Sequence, residues 1–491
     1  MIEHFKRLFS QTVIYGLGDA IIKAIAFFLI PLYTRVLTKE EVGIIALINI
    51  IELILLLVLS LSLNSAVLKV FHDYKTEAEK RAIFSTALIF ISTIALFVLS
   101  LLFFNAEAVS KIFFKTTNYS VYLKFVFGSV FFNLFRLFGL AYLRSLEKPV
   151  HYSILNIVHF TFLVSFNIYH ILILKQSILG VVKSSLFTAA ILFVVVLTTV
   201  FKKVGFSFSK DALKKLIHFG MPIVPGTVAG WALTVSDRYL LNLFATPADV
   251  GLYDISYKFG MILHMILVMP FRTAWLPFVF SIRNDENANN IYSVSLTYFL
   301  LAATLIFLLI SLFAKEIIVL VSTSAYLPGA KAIPLVALAY IFYGIYYIVD
   351  IGVLLKVKTI YYTIITGIGA AVNIGLNIVM IPKIGMIAAA INTAIAYFLI
   401  MTLMYFISKK LYPVSYEKKR LLKIFSLGCV IFIIGYTVSF ESTLINVTFK
   451  ILVIICYPVG LYLMKFFRST EIAAGKKIIM FSRKEPYDTL E

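Results

Sequence analysis

The stretch VGIIALINIIELILLLVLSLSLNSAV, residues 42–67, carries a single ionisable side chain, Glu52. As a helix rising about 1.5 Å per residue it is about 39 Å long, more than the ~30 Å hydrocarbon core of a bilayer. Its apolar residues surround the helix instead of forming one stripe, so it belongs in lipid or among other apolar helices. Working outward, further segments read the same way at 12–34, 82–104, 119–143, 152–173, 178–201, 216–245, 251–279, 291–313, 331–356, 360–381, 385–408, 421–440 and 446–467. The expected fold is an all-α polytopic membrane protein of about fourteen transmembrane helices.

Composition agrees. Of 491 residues, 61% are hydrophobic and 14% are charged, with mean hydropathy +0.98; a soluble chain carries about a quarter charged residues. The net charge of +20 does not point to nucleic acid, because the basic residues sit in short loops between apolar runs. Lys69, Lys75, Lys80 and Arg81, then Lys202, Lys203, Lys210, Lys214 and Lys215, then Lys409, Lys410, Lys418, Lys419, Arg420 and Lys423, all fall in even-numbered connections. Roughly 28 basic residues lie on that side, about 8 on the other and about 8 within spans, which makes that side cytoplasmic together with both termini. The first segment exceeds a signal-peptide core and lacks a small-residue cleavage site, so it reads as an uncleaved helix. Cys429 and Cys456 lie in apolar runs and read as small packing residues.

The turn VLTKEEVG at 36–43 returns as FATPADVG at 244–251, and Gly18 and Gly226 match at the same offset. An even number of helices separates the copies, so the halves are parallel repeats. The expected organisation is a six-helix bundle at 1–201, a cytoplasmic linker at 202–215 and a second six-helix bundle at 216–408. A cytoplasmic loop at 409–420, two extra helices within 421–467 and a cytoplasmic tail at 468–491 follow.

Two stretches, YGLGDAIIKAIAFFLIPLYTRVLTKEEVG at 15–43 and HFGMPIVPGTVAGWALTVSDRYLLNLFATPADVGLYDISYKFG at 218–260, carry a family resemblance. Pro-Leu-Tyr-Thr-Arg at 31–35 and Ser-Asp-Arg-Tyr at 236–239 weigh most. The chain resembles the polysaccharide exporters and lipid-linked oligosaccharide flippases of the multidrug/oligosaccharidyl-lipid/polysaccharide (MOP) superfamily. That resemblance implies a V-shaped pair of bundles, a central cavity and alternating access. The substrate it implies is an oligosaccharide on a polyprenyl pyrophosphate.

Ionisable residues inside spans are costly and functional by default. Asp19 and Lys23 stand four apart, acid first, the favourable order for a helical pair. Arg136, Arg238, Lys258 and Arg272 are the other candidate cavity cations, with Asn133 one turn before Arg136. Lys258 and Arg272, four turns apart, are expected to share one helix face. Asp237 and Arg238, as neighbours, are expected to face different ways. Glu52, Asp237 and Asp350 are candidate pairing or coupling acids, able to exchange a proton or bind sodium. The histidines show no metal spacing and no cofactor is implied. Tyr343, Tyr346 and Tyr347 are candidates to stack on sugars. Pro222 and Pro225, then Pro270 and Pro277, mark bends.

No phosphate-binding Gly-Lys-Ser loop or Ser-His-Asp pattern appears. The expected function is a bacterial inner-membrane flippase for a lipid-linked oligosaccharide in surface polysaccharide synthesis. It would work with membrane lipids and with a polysaccharide polymerase or assembly machinery. A cation-exporting multidrug antiporter is the first rival, opposed by the basic residues in the spans. A peptidoglycan-precursor flippase is the second. A membrane-embedded polymerase would need a large outer loop, which the sequence lacks.

Overall fold

A computed structural model describes residues 27–469 together with Ile25 and Glu471. Asp19, Lys23 and Gly18 lie outside the described residues. Among those residues there are helices and no strands. The first apolar helix, α1, is described over Phe27–Val36. Thirteen helices long and apolar enough to span a bilayer follow: α2 Lys39–Val70, α3 Glu77–Phe104, α4 Ser120–Ser145, α5 Pro149–Ile173, α6 Ser177–Phe201, α7 Lys210–Phe244, α8 Pro247–Ser281, α9 Ala288–Leu312, α10 Ser324–Leu355, α11 Ile360–Ile384, α12 Met386–Leu411, α13 Lys418–Thr437 and α14 Thr443–Leu463. Each corresponds to one expected segment. The joins at 105–118 and 314–330 are not simple loops: they hold the short helices Ala106–Phe114 and Ala314–Val321.

The repeated turns start helices by the same device. Thr38 accepts from the Glu41 backbone while the Glu41 carboxylate accepts from the Thr38 N–H at 2.8 Å; Thr246 and Asp249 do likewise, with Pro247 in the first turn. Such boxes satisfy backbone donors that apolar surroundings leave without water. α2 and α8 begin 208 residues apart, and so do the two short helices, the offset seen in the sequence.

α4 packs on α3 and α6, and α6 on α5, while α10, α11 and α12 pack together with α7 on α11. α13 and α14 lie on α9 through a small core of their own, which includes Leu308, Ile424, Ile431, Tyr457 and Leu461. Between the halves, α2 meets α8 at their starts and the first turns of α7 near its other end. Leu96, Phe97 and Phe104 on α3, and many apolar side chains like them, point outward, as a lipid-facing surface requires.

The face that carries the repeated turns, here the turn face, is sealed by reciprocal contacts. The end of α1 reaches the second short helix (Arg35 Nη2 to Leu320 O, 3.3 Å). The end of α7 reaches the first short helix (Asn242 Nδ2 to Phe113 O and Lys115 Nζ to Leu243 O, both 2.8 Å). Tyr33, in the Pro-Leu-Tyr-Thr-Arg motif, donates to Asn167 at 2.8 Å and ties α1 to α5. At the opposite, basic face, Tyr74 donates to Asp211 at 3.1 Å and accepts from Lys215 at 2.9 Å.

The helices depart from regular α geometry at Pro222 and before Pro270, while Pro277 sits inside an unbroken helical stretch. α7 passes through a tight 3-10 turn at Met221–Ile223, which holds Pro222 and ends just before Pro225. α8 breaks near Met261 and widens into a π-helical turn at His264–Val268 before Pro270. α10 is interrupted at Asp350.

Candidate functional site

Three of the polar groups in the apolar interior hold candidate site residues. The first lies between α2 and α4. Glu52 Oε1 accepts from Ser129 at 3.1 Å and from Asn133 at 3.0 Å, and Arg136 Nε donates to Asn133 Oδ1 at 3.1 Å. One amide therefore bridges the acid and the base. Arg136 has no carboxylate within 4 Å among the described residues. Nearby on α5, Asn156 is buried with both side-chain polar atoms unpartnered, as is His159 Nδ1. Each such atom is costly unless something pairs with it.

The second group joins α7 to α8. Arg238 Nε donates to Asp254 Oδ1 at 2.9 Å and Nη1 to Asp237 Oδ1 at 3.1 Å. Lys258 Nζ stands 2.8 Å from Asp254 Oδ2, and Tyr253 donates to Asp237 Oδ2 at 2.5 Å. The Arg238 guanidinium lies over the Tyr257 ring at 4.2 Å. Two acids and two bases close on one another here and their formal charges cancel. Asp237 and Arg238 do meet: the long arginine side chain folds back to its neighbour, which the expectation for adjacent helical residues did not allow. Arg238 is thus held by two carboxylates.

Sequence reasoning did not single out Asp254. Its signal was available, since Asp254 and Lys258 show the same acid-first, four-residue spacing that marked Asp19 and Lys23.

The third group surrounds a cavity of about 380 Å³ at the basic-face end of α8, α10 and α11. Arg272, Trp275, Tyr346, Tyr347, Asp350 and Tyr362 line it. The Arg272 guanidinium stacks on Tyr347 at 4.0 Å, and Tyr362 donates to Asp350 Oδ2 at 2.6 Å. Arg272 likewise has no carboxylate within 4 Å among the described residues. Lys258 and Arg272 do not form one stripe, because the break and the π-helical turn between them reset the helix register. Lys258 joins the second group and Arg272 the third. Lys183, also among the bases within spans, donates to Gln176 at 3.3 Å.

Tyr346 and Tyr347 are buried and pack on Tyr343 while also bordering the Arg272 cavity. Among the described residues no three His, Cys, Asp or Glu side chains group as metal ligands.

In fold, the chain is similar to the lipid II flippase MurJ in an inward closed conformation, at TM-score 0.73 and 17% identity, over 95% of this chain and 100% of that one. It is also similar to an inward-facing multidrug resistance MATE family transporter of the MOP superfamily (TM-score 0.64, 12% identity, 84% and 96% covered). A Vibrio cholerae MATE transporter, VcmN in the bent form, shares the fold at TM-score 0.54 and 13% identity, with 85% and 97% covered. No curated protein matches the sequence. The family model described as polysaccharide biosynthesis protein matches residues 8–283, more than half of the chain. The chain therefore belongs to this polysaccharide biosynthesis protein family, and it has the fold of MurJ and the MATE proteins.

Proposed function

We propose that this flippase-like transporter moves a polyprenyl-pyrophosphate-linked oligosaccharide across the bacterial inner membrane, for assembly of a surface polysaccharide such as O-antigen, capsule or exopolysaccharide. The family match over 8–283 carries this reading. A pyrophosphate leaving water needs compensating charge. Arg136 and Arg272 are cations that a headgroup can recruit without breaking a carboxylate pair described here; Lys23 is a third candidate. Arg238 instead holds α7 to α8, and Lys258 is taken up by Asp254 on its own helix. Attraction between a guanidinium and a phosphate strengthens where water is excluded, while the polyprenyl tail stays in lipid. Both termini are cytoplasmic in this reading. A polymerase or assembly complex on the far side consumes the product.

The experiment is to delete the gene and identify which lipid-linked glycan accumulates on the cytoplasmic side. A repeat unit of a surface polysaccharide supports the proposal. Accumulation of lipid-linked peptidoglycan precursor supports the second reading, which the fold shared with the lipid II flippase favours. Loss of drug resistance with normal surface glycan sinks both.

A further inference from the structure

Tyrosines are concentrated between the second and third polar groups. Tyr253 and Tyr257 stand on α8, Tyr340, Tyr343, Tyr346 and Tyr347 on α10, Tyr362 on α11 and Tyr397 on α12. A tyrosine in an apolar interior brings a hydroxyl that must find a partner, and two pairs of these find each other. Tyr257 and Tyr340 share a hydrogen bond at 2.9 Å, and Tyr347 donates to Tyr343 at 2.6 Å. Ring contacts join the pairs: Tyr340 to Tyr343 at 6.4 Å, Tyr346 to Tyr347 at 5.1 Å and Tyr346 to Tyr362 at 6.3 Å. One end of this series is Tyr253 on Asp237 and the other is Tyr362 on Asp350. Tyr340 and Asp350 alone are ten residues apart on α10, about 15 Å along the axis.

Its two ends differ. Asp237 has Arg238 beside it. Asp350 is 5% exposed and, among the described residues, has no ion partner within 4 Å; its Oδ1 is buried with no hydrogen bond. The groups facing it are Arg272 from α8, Tyr346 and Tyr347 from its own helix, Tyr362 from α11 and Tyr416 from the segment after α12. A sodium ion there would lie close to the Arg272 guanidinium among aromatic rings, with few oxygens to replace its water. A proton requires only the free carboxylate oxygen, and binding it removes the charge that burial opposes.

We propose that Asp350 is the proton site of this transporter, and that the tyrosine hydroxyls between it and Asp237 relay protons through the second half of the molecule. This deepens the flippase reading, on which it rests for its role in transport, by naming the coupling ion as a proton. At each hop a hydroxyl oxygen accepts one proton and releases its own to the next oxygen, so one O–H bond forms as another breaks. No electron moves and no ring keeps a charge. Ring rotation, or water admitted to the cavity beside Asp350, carries the proton between the hydrogen-bonded pairs.

The test uses Trp275, which lines the Asp350 cavity, in the full-length protein with the other tryptophan removed as Trp231→Phe. Trp275 fluorescence should show one transition with pH, unchanged when sodium is replaced by choline. Asp350→Asn should abolish it and Asp350→Glu should restore it. After a pH jump, Tyr340→Phe and Tyr347→Phe, with melting temperatures near that of the parent, should re-equilibrate roughly a hundredfold more slowly, the lower end of what a positioned proton-transfer group contributes. A transition that is absent, that survives Asp350→Asn or that requires sodium overturns the proton site. Parent-like rates in both Phe variants overturn the relay. No lipid-linked substrate is needed, so either result is separate from the glycan experiment that tests the flippase reading.

Discussion

Gly43 and Gly251 lie against each other where α2 crosses α8, and each fits because the other half's backbone fills the space a side chain would take. A Cβ on Gly43 would stand 1.8 Å from Pro247 O, and one on Gly251 would stand 2.2 Å from Lys39 O. The two contacts are the same contact seen from either repeat. Backbone atoms in capped first turns cannot swing aside as a side-chain tip can.

Gly43→Ala or Gly251→Ala should therefore push the two halves apart at the turn face, at a cost of about 1–3 kcal/mol, as overpacking generally does. Cysteines at Arg35 and Leu320, which now meet across the seal, should cross-link less in either variant than in the parent background. Gly367→Ala is the control, because a Cβ there meets nothing within 4 Å. Equal cross-linking in all three would mean that the glycine contact does not set the closure.

The arginines should separate by role. Arg238→Ala leaves Asp237 without its guanidinium and Asp254 with Lys258 alone, and breaking a buried pair costs about 3–5 kcal/mol. It should lower the melting temperature in detergent and reduce expression. Arg136→Ala removes a side chain bonded to one amide, so it should insert and melt near normally while failing to restore surface glycan. If Arg136→Ala restores full glycan, Arg136 does not hold substrate.

The helices were legible because a bilayer demands long apolar runs, and the repeat was legible because capping needs Thr and an acid at fixed spacing. The partners of buried charges were not. Asp254 sits in GLYDISYKFG, a stretch polar enough to pass for ordinary helix, and nothing local says that it faces α7. Register was lost for a related reason: counting turns from Lys258 to Arg272 assumes an unbroken helix, and the π-helical turn at His264–Val268 has no strict residue signature.

Topology is testable at single positions. The excess of Lys and Arg predicts that the turn at 36–43 is outside and the connection before α3 inside. A membrane-impermeant thiol reagent applied to whole cells should label Lys39→Cys and not Lys75→Cys. The reverse pattern would invert the molecule.

The contact between the start of α13 and the segment that follows α14 should be sensitive to acid. Arg420 is buried and donates to Glu417 at 3.0 Å and to Glu471 at 3.0 Å; Arg468 pairs with Glu417 as well, and Thr297 of α9 donates to Glu417 at 2.7 Å. Burial by itself pushes the Glu417 carboxyl up, but the Thr297 and Arg420 hydrogen bonds and the charges of Arg420 and Arg468 together hold it below the ordinary 4.5. Glu471 is likewise opposed by burial and lowered by the Arg468 backbone N–H, Tyr298 and Arg420. A carboxyl whose folded value lies below its unfolded one stabilises the fold fully above the unfolded value, and that contribution is lost as pH falls through the folded value. Protonation removes the charge that Arg420 answers at this end, while α13 and α14 keep their small apolar core on α9 and, at the other end of α14, the Lys450 and Asn446 contacts to Glu316. Hydrogen exchange in 464–469 should therefore speed up as pH falls from neutral to below the ordinary glutamate range, after correction for the intrinsic pH dependence of exchange. Arg420→Gln should raise exchange at neutral pH and flatten the corrected dependence, since the glutamates then have less to lose. Glu471→Gln should remove part of the dependence and Glu417→Gln most of it, because Glu417 meets both arginines and α9. A corrected profile that stays flat in the parent, or one that Arg420→Gln leaves unchanged, would show that the ion network does not fasten these helices.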